Sequence, residues 1–341
     1  MAVEPVRGDV RQAVRRCLDA VEWKREIPAG APVALKVNLG WDLFIPGSIT
    51  SPLVAEALIL EMRDHVGKLF MVEADQVLED VEAAFHRSGM REVCRRTGVE
   101  WVNLSREERE TLPVPRGRVL REIAVPRVLR QTLLVTVPVM KTHAKTVITG
   151  ALKNQWGCLP KMRHEYHLVL DDALADLNSV MRPVLALMDA TVGLEGNGPK
   201  SGRPRITDRI LCSTDPVALD TVQAITMGID PDTVGHLATC AARGIGTNDR
   251  RHIEVCGPSE SVPYVRARHN VVSWVETLLR RSALQKLFFH TPLFRACLLG
   301  AKLYYHAWTA LRARRCWQMV RRHPLYGPQW SPGWQGLSPG R

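Results

Sequence analysis

Short apolar runs alternate with amphipathic segments through most of the chain, the rhythm of βα units around a mainly parallel sheet. Val33 to Val37 reads as a buried strand. Ser51-Pro52 then opens a helix, with Ser51 as N-cap and Pro52 at the first helical position, where a missing N–H costs nothing. Leu69 to Val72 is a second strand, a helix runs from about Val77 to Thr97 and stops at Gly98, and Trp101-Val102 begins a third strand. Leu112 to Val128 is hairpin-like and rich in Pro and Arg. Thr132 to Val137, Val184 to Met188 and Ile210-Leu211 read as further strands, and Asp215 to Met227 and Thr233 to Ala242 as helices. Asp215 before Pro216 predicts another N-cap, and Gly193 to Pro204 is the most loop-like stretch. The pattern predicts a three-layer α/β body over residues 1–265, with a mainly parallel sheet and helices on both faces.

Residues 266–341 follow a different pattern and read as a helical arm. Pro292, with Thr291 as N-cap, starts a long helix through about Arg322. Leu293, Cys297, Tyr304, Trp308 and Leu311 recur at helical spacing, with Arg295, Lys302, Thr309 and Arg312 displaced from them. Charge sharpens the boundary. The chain holds 46 basic and 35 acidic residues, a net charge of +11, yet eleven of the basic ones and none of the acidic ones follow residue 276. The body is therefore neutral and the whole excess belongs to the last 65 residues, which also hold ten of the 20 aromatics. A generally basic nucleic-acid coat is excluded, and nucleic acid is a disfavoured partner for an arm whose basic residues are broken up by bulky aliphatics. Two readings of the arm stay open. It packs its apolar face on the body or on a second copy in a homo-oligomer, or it lies on an anionic membrane surface, where basic residues beside Trp, Tyr and Leu are at home. No stretch reaches the roughly 18 uncharged apolar residues of a membrane span. The N-terminal run carries charges where a signal peptide needs its apolar core. The expected location is cytoplasmic, peripheral at the inner face of the membrane if the arm docks there.

Eight cysteines stand at 17, 94, 158, 212, 240, 256, 297 and 316, with no Cys-x-x-Cys pair. A zinc ribbon or iron-sulfur cluster is therefore disfavoured, and reduced thiols in or near a core are expected.

In open parallel sheets ligands bind beyond the carboxyl ends of the strands. Five of the predicted strands deliver polar groups there: Lys36 and Asn38, Glu73 and Asp75, Lys141 to His143, Asp189, and Ser213 to Asp215. Lys141 to Gly157 is densest in chemistry, with three lysines, His143, three threonines and two glycines before an expected helix. Such a loop can hold an anion with backbone N–H groups and a helix N-terminus while lysine supplies charge. Neither a Walker A loop nor a Gly-x-Gly-x-x-Gly turn is present. Lys141, Lys153 and His143 are the expected catalytic groups, the lysines neutralising an anion and the imidazole moving a proton. Lys36, Asn38, Thr142, Thr149, Gly150, Asn154, Asp189 and Gly196 are the expected binding residues. His164 and His167, three apart with Asp171 four beyond, would share a helix face, so a divalent metal held by some of His143, His164, His167, Asp189 and Glu195 is open. Glu195-Gly196-x-Gly198-Pro199 is a flexible acidic loop that either carries a ligand carboxylate or is an ordinary turn.

With these residues assembled the chain resembles the bacterial and archaeal domain of unknown function 362 family. The likeness rests on Lys36-Val37-Asn38, Thr50-Ser51-Pro52, Pro138-x-x-Lys141-Thr142-His143, Thr149-Gly150-Ala151-Leu152-Lys153-Asn154-x-x-Gly157, Asp189, Glu195-Gly196-x-Gly198-Pro199 and Ser213-x-Asp215-Pro216-x-Ala218-x-Asp220. The closing Tyr326-Gly327-Pro328-Gln329-Trp330 is similar to endings of some members. Many members resemble iron-sulfur proteins through a ferredoxin-like module for which this chain has no cysteine run. A fainter similarity leads to the lactate racemase family, whose cofactor domain has His, Thr/Gly-Gly, Lys and Pro-Gly in order. Here His143, Thr149-Gly150, Lys153 and Gly157 stand in that order, with Ala151 at the second Gly and no closing Pro-Gly. That similarity implies racemase or hydride chemistry as an alternative. The expectation is an enzyme acting on a small carboxylate or phosphate, against a non-enzymatic ligand-binding or scaffold protein docked to membrane.

Overall fold

The structure is a computed structural model that describes residues 1–76, 80–160, 166, 169–258, 260–267, 292–331 and 333–337. Among these a nine-stranded sheet forms the centre. β1 (Ala2–Pro5) and α1 (Val10–Ala20) precede β2 (Val33–Lys36), α2 (Pro52–Met62) and β3 (Leu69–Glu73). Then come α3 (Val81–Arg87), α4 (Met90–Thr97), β4 (Glu100–Asn103), the hairpin β5 (Arg109–Pro113) and β6 (Glu122–Pro126), and α5 (Arg127–Arg130). β7 (Leu133–Thr136), β8 (Val139–His143), β9 (Val147–Thr149), α6 (Ala151–Asn154), α7 (Leu170–Val180), β10 (Leu185–Glu195) and β11 (Arg203–Ser213) lead to α8 (Pro216–Thr226) and α9 (Gly235–Ala242). The spatial order is β1-β11-β10-β7-β2-β3-β4, with β8 paired to β10 and β9 to β8. Pairings from β10 through β7, β2 and β3 to β4 are parallel, while β1 and β11 run antiparallel at one edge.

The period-2 alternation of a strand separates two cores. Val33 and Leu35 of β2 point into a cluster with α1, α2 and α4, whereas Ala34 points to the opposite face, where α7 and the β5–β6 hairpin cover it. A third cluster joins Met188 and Leu211 to α6, α8 and α9 on that second face. Strands buried on both sides explain the continuous apolar runs. α2 is apolar nearly all round because it is packed against α1 and α4 as well as the sheet. Its buried Glu56 is matched by Arg96 of α4 in a bidentate pair at 2.9 and 3.0 Å. Ser51 accepts from the Val54 N–H and Asp215 from those of Val217 and Ala218, so both expected caps form.

The structure corrects several boundaries. The helix expected over Val77 to Thr97 is two, α3 and α4, separated at Gly89, whose φ of 88° breaks the helical path. The strands expected at Val184 to Met188 and Ile210-Leu211 are the cores of β10 and β11, whose pairing runs on to Glu195↔Arg203 across a bulge between Ala190 and Val192. The two ends of the stretch that reads as loop, residues 193–195 and 203–204, are thus paired ribbon, and residues 196–202 form the loop between them. β1 and α1 have no counterpart in the pattern reading of the sequence. α1 nevertheless places Val10, Ala13, Val14, Cys17 and Leu18 on the core with Asp9 as its cap.

The arm begins, within the described residues, with α10 (Pro292–Trp308), continues through a π turn at Thr309–Ala313, and ends in α11 (Arg314–Arg321). Thr291 lies outside the described residues. One side of the arm is packed on the body. Ala313 and Cys316 join Ile45 and Leu194 in a small core, Phe44 meets Trp317 edge-on at 5.7 Å and Trp330 at a tilt at 5.5 Å, and Tyr326 is fully buried in the largest cluster. Gln329 accepts from the Leu53 N–H in the first turn of α2. Among the described residues no helix is long and apolar enough to cross a membrane.

Candidate functional site

Beyond the carboxyl ends of β2 and β3 lies a cavity of about 110 Å³, room for a few waters or a small ion. It is lined by four lysines, Lys36, Lys141, Lys153 and Lys200, and among the described residues by a single carboxylate, Glu73. Lys36 and Glu73 extend from the adjacent ends of β2 and β3, where they meet at 2.6 Å with 1% and 2% of their side chains exposed. Glu73 also accepts from the N–H groups of Leu39 (3.0 Å) and Ala74 (2.9 Å), and Lys36 donates to the Val37 carbonyl at 3.0 Å. Gly157 presses its backbone on this pair: a Cβ there would lie 2.7 Å from both Glu73 Oε1 and Lys36 Nζ. Only glycine fits.

Lys141 rises from β8, held opposite Leu194 of β10 and Thr149 of β9. Its Nζ donates to Asn38 Oδ1 at 2.8 Å and to the Ser48 carbonyl at 2.9 Å. A relay of amides fixes that acceptor. Asn154 Nδ2 donates to the Lys36 carbonyl and to Thr136 Oγ1, Asn154 Oδ1 accepts from Asn38 Nδ2 at 2.9 Å, and Asn38 Oδ1 is thereby turned to Lys141. Burial, then the charges of Lys153 and Lys36, bring the Lys141 ammonium down to about 7 against the smaller opposing pull of Glu73 and Asp189. Two of the lining residues carry a buried polar group with no hydrogen-bond partner among the described residues, the Thr149 hydroxyl and the Trp156 indole N–H. At the mouth Lys200 Nζ sits 3.7 Å from the Trp41 ring centre, and Trp41 meets Tyr305 of α10 edge-on at 5.2 Å.

Six of the residues singled out from sequence therefore meet at one cavity: Lys36, Asn38, Lys141, Thr149, Lys153 and Asn154. Of the others, His143, Thr142, Gly150 and Asp189 stand behind it. Lys141 to His143 is a strand, not a loop, turning through residues 144–146 into β9. His143 Nδ1 accepts from the backbone N–H groups of Lys145 and Thr146, and burial with the surrounding lysines holds the imidazole well below its usual range, so it is neutral. It is not part of the cavity wall. Thr142 donates to the Leu194 and Gly196 carbonyls and ties β8 to the end of β10. Gly150 abuts Asp220, whose carboxylate accepts from the N–H groups of Ala151 (2.6 Å) and Leu152 (3.0 Å). The helix N-terminus expected to receive an anion is already capped from within. Asp189 is likewise internal, accepting from Ser51 N and from the Thr191 backbone and hydroxyl.

Of the metal candidates, Glu195 is paired with Arg203 at 2.6 Å and accepts from the Val265 N–H, while His164 and His167 lie outside the described residues. Asp171 opens α7 and stands 4.0 Å from His236 Nδ1. Among the described residues no three His, Cys, Asp or Glu side chains are grouped as metal ligands. The sequence reading missed Trp41, Trp156 and Lys200 as wall residues. Trp156 carried a signal, since it stands between Asn154 and Gly157 in the densest polar segment.

The domain of unknown function family DUF362 matches residues 33–224, the span that supplies nearly all of this wall. The chain belongs to that family. A thylakoid-associated protein of Synechocystis sp. is 30% identical over 121 residues, which are 33% of this chain and 38% of that protein. The chain thus spans well under half the length of this curated relative. The lactate racemase apoprotein of Thermoanaerobacterium thermosaccharolyticum superposes with a TM-score of 0.42 at 11% identity, over 70% of this chain and 55% of that one.

Proposed function

We propose that the cavity binds a small anion, a carboxylate or a phosphate, and that the protein is an enzyme acting on it. The observation that carries this reading is the wall itself: four lysines against one carboxylate already engaged by Lys36, with two buried groups, Thr149 Oγ1 and Trp156 Nε1, lacking partners among the described residues. An indole N–H can only donate, and a buried donor without an acceptor costs about 1–3 kcal/mol, which an anion reaching the wall would recover. Lys141 and Lys153 supply charge at the ligand, and the Asn154–Asn38 relay holds Lys141 in place. His143 acts behind the wall, keeping the turn at residues 144–146 closed. Titration calorimetry with malonate and with inorganic phosphate tests the reading. Wild type binds one of them, and Trp156→Phe, which keeps the bulk and removes the donor, weakens it about tenfold. Equal affinity of the two proteins, or no binding of either anion by wild type, rejects it.

A specific observation also favours membrane contact by the arm. Among the described residues, five of the seven large exposed hydrophobic side chains, Leu299, Leu303, Tyr304, Leu311 and Met319, lie along α10 to α11, away from the packed side. Exposed Lys302, Arg312, Arg314, Arg315, Arg321 and Arg322 flank them, without a single acidic residue. Aliphatic groups bordered by lysine and arginine suit the headgroup region of an anionic leaflet, where each basic residue adds about 1 kcal/mol. The thylakoid association of the Synechocystis relative is in keeping with it. Wild type sediments with phosphatidylglycerol vesicles at low salt, and Leu303→Asp with Leu311→Asp does not. Equal sedimentation sinks this reading.

A further inference from the structure

The anion-binding reading leaves the chemistry open, and Lys141 narrows it. We propose that the Lys141 amine forms an imine with the carbonyl carbon of a small oxo acid whose carboxylate is held by the neighbouring lysines. The inference rests on the anion-binding reading and on three features of the wall.

First, Lys141 Nζ faces two fixed acceptors, Asn38 Oδ1 and the Ser48 carbonyl. A neutral amine has two N–H groups, so both acceptors are satisfied and the lone pair is left over. Because the amide relay from Thr136 through Asn154 sets the direction of Asn38, the amine cannot turn that pair toward the acceptors without breaking the bonds. Secondly, Lys36 is unsuited to the same role, since its Nζ is engaged by both Glu73 and the Val37 carbonyl. It serves as charge. Thirdly, the unpartnered Thr149 hydroxyl belongs to β9, which is paired directly with β8 in the register Lys141↔Thr149, so the group able to hydrogen-bond a carbonyl oxygen adjoins the nucleophile. Burial and the Lys153 charge, which bring the amine to about 7, agree with this arrangement.

The step balances without an oxidant or reductant. The nitrogen lone pair adds to the carbonyl carbon, the π pair moves to oxygen, and one amine proton passes from nitrogen to that oxygen to give a carbinolamine. The hydroxyl then leaves as water with a proton from the Lys153 ammonium, on the same wall, and the second nitrogen proton returns to the Lys153 amine, so amine and carbonyl become imine and water.

Pyruvate with sodium borohydride is the probe, read by peptide mass mapping of the full wild-type chain at pH 7. An ordinary lysine at this pH is about one part in a few thousand neutral, whereas an amine near 7 is about half neutral. Lys141 is therefore expected to carry the reduced adduct at least a hundredfold faster than exposed lysines, and malonate to protect it. Adducts confined to exposed lysines, or a Lys141 adduct that malonate does not slow, overturn the proposal. Malonate binding is measured on the same sample. Binding without labelling removes the imine and keeps the anion site, whereas absence of both removes the two together.

Discussion

Glu73→Gln tests the electrostatics of the cavity most directly, because it deletes the one wall carboxylate among the described residues with little change of shape. In the native protein the Lys36 ammonium is 1% exposed and meets Glu73 at 2.6 Å, with one further acceptor, the Val37 carbonyl. Glutamine keeps one oxygen, so at least one of the three bonds accepted by Glu73, from Lys36, Ala74 and Leu39, is lost, and its amide hydrogens point at donors. Leaving a buried charge uncompensated costs about 3–5 kcal/mol. That is a large part of a net stability of about 5–15 kcal/mol. Urea unfolding should therefore show the midpoint falling by about 1 M or more at unchanged slope. Two controls separate charge from shape. Lys36→Met with Glu73→Gln removes both partners and should regain most of the loss, since a buried pair exchanged for apolar groups is often neutral. Malonate should stabilise Glu73→Gln more than wild type, because the bound anion now provides the missing countercharge, with about 2.7 kcal/mol recovered at a hundred times its Kd. If Glu73→Gln lies within about 1 kcal/mol of wild type, or the double variant is no more stable than the single, the pair does not hold the cavity as described.

The remaining predictions concern Lys141 and Gly150. Lys141 is brought down to about 7 by burial and by Lys153 and Lys36, opposed by Glu73 and Asp189, so between about pH 7 and 10 the unfolded chain holds a proton there that the folded chain does not. Stability then rises with pH through that window while anion affinity falls; urea midpoints and calorimetry from pH 6.5 to 9.5 should show both trends, and both should flatten in Lys141→Met. Gly150→Ala puts a methyl group onto Asp220 Oδ1 and Gln223 Oε1, forcing the carboxylate off Ala151 and Leu152. About 3–5 kcal/mol should be lost from overpacking plus two weakened bonds, visible as a drop in Tm, and a loss below about 1 kcal/mol would contradict the contact.

What the sequence disclosed follows from the range of the forces involved. β2, α2, β3, β7 and α8 were legible because each is announced locally, by a short apolar run or by the caps Ser51-Pro52 and Asp215-Pro216. β8 was hidden because Lys141, Thr142 and His143 make a buried strand look like a polar loop, and their partners, Asn38, Gly196 and the Lys145 and Thr146 amides, come from chain segments up to a hundred residues away. α1 was legible in principle. Its apolar stripe at positions 10, 13, 14, 17 and 18 is masked by three arginines and a glutamine in the same stretch, which mark only the outer face. At the site, lysines and asparagines near strand ends were visible as chemistry. That Asp220 would cap α6 and so remove the expected anion cradle was not, since the capping carboxylate arrives from 69 residues downstream.

The two ends of the described chain are locked to its middle, and this bears on how the protein is made. β1 pairs with β11, Val3 also donates to the Cys256 carbonyl, Tyr326 completes the largest core, and Gln329 caps the α2 turn at Leu53. A nascent chain leaving the ribosome must therefore keep β1 and the start of α2 waiting, the first for about two hundred residues and the second for nearly three hundred, before their partners emerge. Closure waits for Gln329 to emerge, and a ribosome stalled before it should present an unsealed body to chaperones and proteases.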